Sequence, residues 1–291
     1  MSSPPRFRGP VHHALFGLLV ALLLSACSAS DTLEIAEPQA EPSKYAAIVV
    51  DASDGKVLYA AAADQTRYPA SLTKMMTLYL VFEALEDGRL SRSSQIPVSA
   101  NAARQPASKL YLKEGTSIDV DTAIRALAVK SANDVATAVA EHLAGSEERF
   151  ARQMTAKGRT LGMGRTVFTN ASGLPDSGMR TTARDMAVLG LALRRDFPQY
   201  YSYFRLRSFT FRGKTIRGHN KVLELVAGAD GIKTGYIRAS GYNVATSVRR
   251  NGRSIVAVVM GGKSGRARDA HMAQLLAATF NRSNRFALLR P

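Results

Sequence analysis

The order of apolar patterns predicts an α+β fold, an antiparallel sheet flanked by helices with an all-helical lobe inserted into it. Three observations carry this. A hairpin pattern opens the domain, helical periodicities fill its middle, and a run of strand-like segments followed by one helix closes it. An early strand pair must then join a late sheet, and this order does not suit a doubly wound parallel fold. The 291 residues hold ample apolar material for such a core.

The first element spans Ala46 to Val50 and Lys56 to Tyr59, joined by the turn signal Ser53-Asp54-Gly55. A helix is predicted from Ser71 to Asp87, with Gly88 as its stop. Its Leu72, Met75, Met76, Tyr79, Leu80 and Phe82 suit burial on several sides. Ile96 to Leu112 is less regular and reads as short strands. Asp121 to Leu161 is helical, with breaks near Ser131 and Gly145, and Thr166 to Gly178 is a polar loop. Thr182-Ala183-Arg184-Asp185 reads as a capping box opening another helix. The candidate strands then follow: Ser208 to Phe211, Ile232 to Tyr236, Tyr242 to Val248 and Ser254 to Met260. Asn251-Gly252 marks a two-residue hairpin between the last two, and a final helix is predicted over Arg268 to Phe280.

Before this domain the chain reads as an export signal and a tether. Arg6 and Arg8 precede a short apolar run, Ala14 to Leu24, too short to span a bilayer comfortably. The run ends in Leu24-Ser25-Ala26-Cys27, which resembles a bacterial lipobox; a standard signal cleaved nearby is the other reading. Residues 1–27 are thus read as a lipoprotein-type signal peptide, 28–43 as an acidic flexible tether, and 44–291 as the folded domain. Cys27 is the only cysteine, so no internal disulfide can form. The net charge of +16 favours anionic partners, yet the basic residues form no recognisable nucleic-acid reader, and the export signal argues against that role.

Three short motifs carry chemistry. Ser71-Leu72-Thr73-Lys74 places a hydroxyl and an amine one turn apart, and a neutral amine can take the proton that keeps a serine from attacking. Ser131-Ala132-Asn133 sits at the helix break, where Ser131 offers a hydroxyl for proton relay and Asn133 an amide to hold Lys74 and a substrate peptide group. Lys233-Thr234-Gly235 lies on a strand: a fixed cation for a carboxylate, a hydroxyl donor, and a glycine that admits close backbone approach. Each motif alone is matched by a capping serine or a surface lysine. Together, in this order and on these element types, they are the set associated with penicillin-binding proteins and class A β-lactamases.

The chain resembles the low-molecular-mass D-alanyl-D-alanine carboxypeptidases of the penicillin-binding protein 5 type, serine peptidase family S11. Beyond the three motifs, the resemblance rests on Tyr68 to Thr77, Asp51 to Tyr59, Thr169 to Leu174, Asp230 to Tyr236 and Val259 to Lys263, and it covers about Tyr45 to Phe280. It implies a β-lactamase/transpeptidase-like fold. It implies removal of the terminal D-alanine from peptidoglycan pentapeptides through an acyl-enzyme on Ser71, with Lys74 as base and Ser131 and Asn133 assisting. Lys233, Thr234, Gly235 and Tyr236 would bind substrate, with an oxyanion hole from the backbone N–H groups of Ser71 and Tyr236. Arg268 matches an arginine that faces the substrate's terminal carboxylate in relatives. The implied partners are peptidoglycan stem peptides, with β-lactam antibiotics as covalent inhibitors; neither cofactor nor metal is implied, and the implied place is the periplasm or cell envelope.

The sequence also departs from these relatives. They usually add a β-rich domain and an amphipathic anchor helix, for which 291 residues leave no room, so membrane attachment is expected through Cys27. His219 stands where some relatives have an arginine, and it is read as structural because lysine fills the base role. A β-lactamase needs a glutamate-held water, and Thr166 to Gly178 contains no Glu. A D,D-endopeptidase cutting crosslinks, and a non-catalytic wall-binding lipoprotein, are the alternatives.

Overall fold

In the computed structural model, residues 40–287 are described. Cys27, the export signal and most of the tether fall outside them. The first described residue, Ala40, already bridges Gly262, and the Glu41 carbonyl accepts from the N–H groups of Lys44 and Tyr45.

Strands β1 (Ala46–Asp51) and β2 (Val57–Ala61) form the opening hairpin. They join β7 (Ala229–Ile237), β8 (Gly241–Arg250) and β9 (Arg253–Gly262) in a five-stranded antiparallel sheet of order β2-β1-β9-β8-β7. Ala46 pairs with Met260 and Asp51 with Ile255, so the early hairpin closes onto the last strand as the α+β reading requires. Asn251 and Gly252 both have positive φ, 51° and 72°, the conformation a two-residue hairpin between right-twisted strands demands.

Both faces of the sheet are covered. Ile48, Val256 and Val258 point into the main core. Their alternates Val49, Ala257 and Val259 are equally buried on the other face, and α8 (Gly265–Ala287) packs on β8 and β9. On the core side lies α1 (Lys74–Glu86), in which Met75, Met76, Leu78 and Phe82 are all buried. Around it sit α4 (Asn133–Ala144), α5 (Glu147–Thr160) and α6 (Ala183–Asp196). Phe82 anchors an aromatic cluster with Phe197, Tyr200, Tyr203 and Phe204.

The helical lobe also holds α2 (Ala100–Arg104) and α3 (Val120–Arg125), with the short pair β3 (Gln95–Pro97) and β4 (Ser117–Asp119). Its caps follow the sequence. The hydroxyls of Ser146 and Thr182 accept from Arg149 N and Asp185 N, and Gly145 ends α4 at φ 78°. The Thr182 box is only half made, because the Asp185 carboxylate turns to Arg165 N and Thr166 Oγ1. A second strand, β6 (Lys214–Arg217), pairs with β5 (Ser208–Phe211) across an Arg212-Gly213 turn; only β5 was legible as a strand. The one-turn helix α7 (Val222–Leu225) leads into β7.

Ile96 to Leu112, read as short strands, is strand only to Pro97 and holds the helix Ala100–Arg104; the boundary that bears on the site also differs from expectation. Ser71 does not open an α-helix: it lies inside a 3-10 turn, Ala70–Thr73, and the α-helix begins at Lys74. Ala70 adopts φ 49°, and the turn is clamped between β7 and the loop at Gly173, so tertiary contacts override the capping pattern.

Candidate active site

A cleft of about 530 Å³ runs between sheet and helical lobe, lined among others by Ser71, Ser131, Asn133, Thr234, Tyr236 and Arg268. The three sequence motifs therefore converge on one cavity. They arrive from the turn before α1, the turn before α4, and strand β7.

Lys74 lies beneath Ser71 with no exposed surface. Its Nζ is 3.2 Å from Ser71 Oγ, 2.8 Å from Asn133 Oδ1 and 2.6 Å from the Ser172 carbonyl. The two carbonyl oxygens can only accept, so each takes one N–H. A neutral amine has two N–H bonds and one lone pair, and in that state the lone pair is left for the Ser71 hydroxyl. Burial holds Lys74 well below its ordinary pKa, and the Lys233 ammonium pushes it further down; the carboxylates of Glu147 and Asp134 pull the other way.

Ser131 sits at the break after α3 and its π-helical extension, with φ 62°. A non-glycine residue in the left-handed region costs about 1–3 kcal/mol and persists only where the surrounding structure holds it there. Its hydroxyl is buried and has no hydrogen-bond partner among the described residues. Asn133 follows at the start of α4; its Nδ2 donates to the Pro106 carbonyl, and its backbone N–H to that of Ser108. The neighbouring Asp134 is fully buried and accepts from Leu110 N and Leu112 N, so this turn also fixes the 106–112 loop.

Lys233 is buried on β7, donates to the Thr234 carbonyl at 2.8 Å, and is pushed down to about 7 by burial and then by the Arg268 guanidinium. Thr234 is almost covered; Tyr236 is 53% exposed and its ring meets that of Tyr242 at 4.2 Å. Gly235 serves a different neighbour from the one foreseen. A Cβ there would come within 2.9 Å of Ser71 N and 3.2 Å of the Pro69 carbonyl, so its missing side chain lets β7 lie against the Ser71 turn. Arg268 is buried, paired with Asp269 at 2.8 Å, and donates to the Asn243 carbonyl. His219 lines the cleft, and its imidazole is held below the ordinary histidine value by burial and then by Lys233, Lys130 and Arg268.

Three supports escaped the sequence reading. Asn243 on β8 is buried, and its amide donates to the carbonyls of Tyr68 and Pro69 while its Oδ1 accepts from Gly261 N. A polar residue flanked by the apolar run of β8 was the available signal. Glu147 accepts from Ala171 N at 3.0 Å, and Thr77 Oγ1 donates to the Ala171 carbonyl, so the segment offering the Ser172 carbonyl is held from both sides. Glu147 reads in sequence as an ordinary first-turn helix acid. Gly173, at φ 82°, packs its backbone onto Ala70.

An antiparallel sheet against a helical lobe, with a serine over a buried lysine in the cleft between them, defines a serine hydrolase of the penicillin-binding-protein and β-lactamase fold class. The sequence profile of D-alanyl-D-alanine carboxypeptidases, peptidase family S11, matches residues 33–264. The chain is 34% identical over 274 residues to D-alanyl-D-alanine carboxypeptidase DacA of Escherichia coli K12, covering 90% of this chain and 68% of that protein. The crystal structure of the D-alanyl-D-alanine carboxypeptidase DacD from Francisella tularensis superposes with a TM-score of 0.80 at 28% identity, over 89% of this chain and 74% of the other. Penicillin-binding protein D2 from Listeria monocytogenes, solved in its ampicillin-bound form, gives 0.75 at 28% identity, over 82% of this chain and 98% of the other. The chain belongs to the D-alanyl-D-alanine carboxypeptidase family, and it is a serine peptidase of that family.

Proposed function

We propose that this chain removes the terminal D-alanine from peptidoglycan stem peptides, with Ser71 as nucleophile and Lys74 as its base. The observation that carries this is the coordination of Lys74 Nζ, where two carbonyl acceptors leave a neutral amine one lone pair, facing Ser71 Oγ. As Ser71 Oγ bonds to the carbonyl carbon between the last two D-alanines, its proton passes to Lys74. The tetrahedral oxyanion forms against the N–H groups of Ser71 and Tyr236, in support of which Gly235 lets β7 lie close to Ser71 N. Each such donor is worth about 10²–10³ in rate. The C–N bond then breaks, and Lys74 returns its proton to the departing D-alanine amine, with the unpartnered Ser131 hydroxyl as relay. Water attacks the ester, Lys74 takes its proton, and the Ser71 hydroxyl is restored.

The D-alanine carboxylate is bound at the Thr234 and Arg268 end of the cleft, with the Lys233 cation buried behind Thr234, while Asn133 holds Lys74 and keeps one Nδ2 hydrogen for a substrate carbonyl. β-Lactams enter the first step and remain as the Ser71 ester. The chain acts in the cell envelope, exported and anchored by a lipid on Cys27; the support for this is the Leu24-Ser25-Ala26-Cys27 tetrad.

The test is D-alanine release from a soluble muramyl pentapeptide, beside a crosslinked dimer and the Ser71→Ala chain. Release that Ser71→Ala abolishes is the expected result, and no release from any substrate by the intact enzyme overturns the reading. Cleavage of the dimer alone would replace it with an endopeptidase. Retention of the mature chain in detergent, lost in Cys27→Ala, tests the anchor.

A further inference from the structure

The positive charge of this chain is unevenly placed. Between Asp196 and Glu224 there is no acidic residue and there are six basic ones: Arg205, Arg207, Arg212, Lys214, Arg217 and Lys221. All six are exposed. Lys221 pairs with Glu224, and no ion pair joins the other five to an acid among the described residues.

Three of the six, Arg212, Lys214 and Arg217, lie on the β5–β6 hairpin, and Arg205 and Arg207 lead into it. Ser208 faces Arg217 and Thr210 faces Thr215, and these four exposed residues share one face; Phe209 and Ile216 lie on the other, where the exposed Lys214 pairs with Phe211 at the tip. Arg212 makes the turn over the Phe211 ring. At its base the hairpin closes through Gly218 N to the Arg207 carbonyl, packs on the 126–130 segment that leads into Ser131, and runs straight into His219 of the cleft. His219 in turn feels Lys130, Lys233 and Arg268. The hairpin thus leads directly from His219 at the mouth of the cleft onto an exposed surface of cations and hydroxyl groups, whereas inside the cleft Arg268 is already paired with Asp269.

We propose that the β5–β6 hairpin is a docking surface for the anionic, peptide-bearing wall polymer, holding the strand next to the stem peptide that occupies the cleft. This rests on the peptidoglycan substrate proposed above. Charge complementarity carries it: the polymer repeats free carboxylates along its length, whereas one D-alanine carboxylate already engages the cations inside the cleft. A membrane is the competing anionic surface. The direct run of the hairpin into His219 of the cleft favours the polymer, because only the substrate must touch both.

The test uses the full chain with Ser71→Ala, so that bound wall is not consumed, and compares it with the same chain carrying Arg205→Gln, Arg212→Gln, Lys214→Gln and Arg217→Gln. Both are sedimented with insoluble purified peptidoglycan at low and high salt. The expected result is roughly tenfold weaker sedimentation of the hairpin variant at low salt, and convergence of the two at high salt, where charges more than about 3–8 Å apart are screened. Equal sedimentation at low salt overturns the proposal. So does loss of binding to phosphatidylglycerol vesicles with peptidoglycan binding intact, which would make the hairpin a membrane contact. D-alanine release from soluble pentapeptide by the Ser71-intact hairpin variant should be unchanged, which shows that the variant is folded. Failure of the unmutated enzyme in that assay sinks the carboxypeptidase reading, while the sedimentation result still reports on the hairpin.

Discussion

The side chain of Asn243 donates to the carbonyl of Pro69 at 3.2 Å, tying the middle of β8 to the turn that presents Ser71. The same amide reaches the Tyr68 carbonyl, and the Asn243 backbone carbonyl receives Arg268. Removing it in Asn243→Ala takes the side-chain partner from the Tyr68 carbonyl and the Gly261 N–H, at a cost of about 1–3 kcal/mol for each group left dry, while the Pro69 carbonyl keeps only the Leu72 N–H. The expected outcome is a lower melting temperature together with a fall in acylation by a fluorescent penicillin of at least about tenfold. Asn243→Asp keeps the acceptor for Gly261 and loses both donors. Its new oxygen faces the two carbonyls in a buried site, so it should be no more stable than Asn243→Ala and match it in acylation rate. Normal acylation in either variant would refute the positioning role.

In the proposed mechanism Lys74 must be neutral to accept the Ser71 proton, so the acidic limb of acylation should follow its titration. The Lys233 ammonium depresses Lys74 and the Glu147 carboxylate raises it. Lys233→Ala should therefore move the acidic limb to higher pH, and Glu147→Gln should move it to lower pH. Glu147→Gln retains an oxygen for Ala171 N and changes only the long 3.4 Å contact with Thr137 Oγ1, so its effect is chiefly one of charge. Acylation rate against pH, measured in single turnover, decides the matter; two shifts of the same sign would contradict it.

Burial of Lys233 has a consequence for stability. Its folded pKa is about 7 and its unfolded value about 10.4. Between these pH values the unfolded chain holds the extra proton, so stability rises with pH across the window; below it the fold must carry a buried cation. Lys233→Met should remove this dependence and stabilise the protein at pH 6 by about 1–2 kcal/mol, while abolishing turnover. Thermal melts at pH 6 and pH 9 provide the comparison. A variant less stable than the parent at pH 6 would show that Lys233 is satisfied in its charged form.

Gly173 packs against Ala70 so closely that a Cβ would lie 1.8 Å from the Ala70 carbonyl oxygen, and its φ is 82°. Gly173→Ala must push the loop away and withdraw the Ser172 carbonyl from Lys74. Loss of about 1–3 kcal/mol in stability and of most penicillin labelling is the expected result. Gly164→Ala, where nothing lies within 4 Å of the added methyl, is the matching control and should behave as the parent does.

What could be read from the residues in order was the part governed by short range. The β1–β2 hairpin, the breaks at Ser131 and Gly145, the Asn251-Gly252 turn and the three chemical motifs all announce themselves within a few positions. Ser71 was misplaced by one turn because serine is a good helix opener in isolation, whereas here β7 and Gly173 dictate the backbone around it. Asn243 and Glu147 were invisible as parts of the site for a related reason. Their partners, Pro69 and Ala171, are distant in sequence, and neither residue belongs to a spacing pattern. The strand β6 was hidden by its own charge, since Lys214 to Arg217 offers a single apolar residue, Ile216.

The sheet order carries a temporal meaning. Ser71 is made early, but the lysine that tunes its partner and the amide that holds its turn, Lys233 and Asn243, come from strands near the end of the chain. Strand β1 likewise finds its second neighbour only in β9. The turn that presents Ser71 is thus fixed by residues made long after it, and the sheet that holds it closes only when the last strand slots in between β1 and β8.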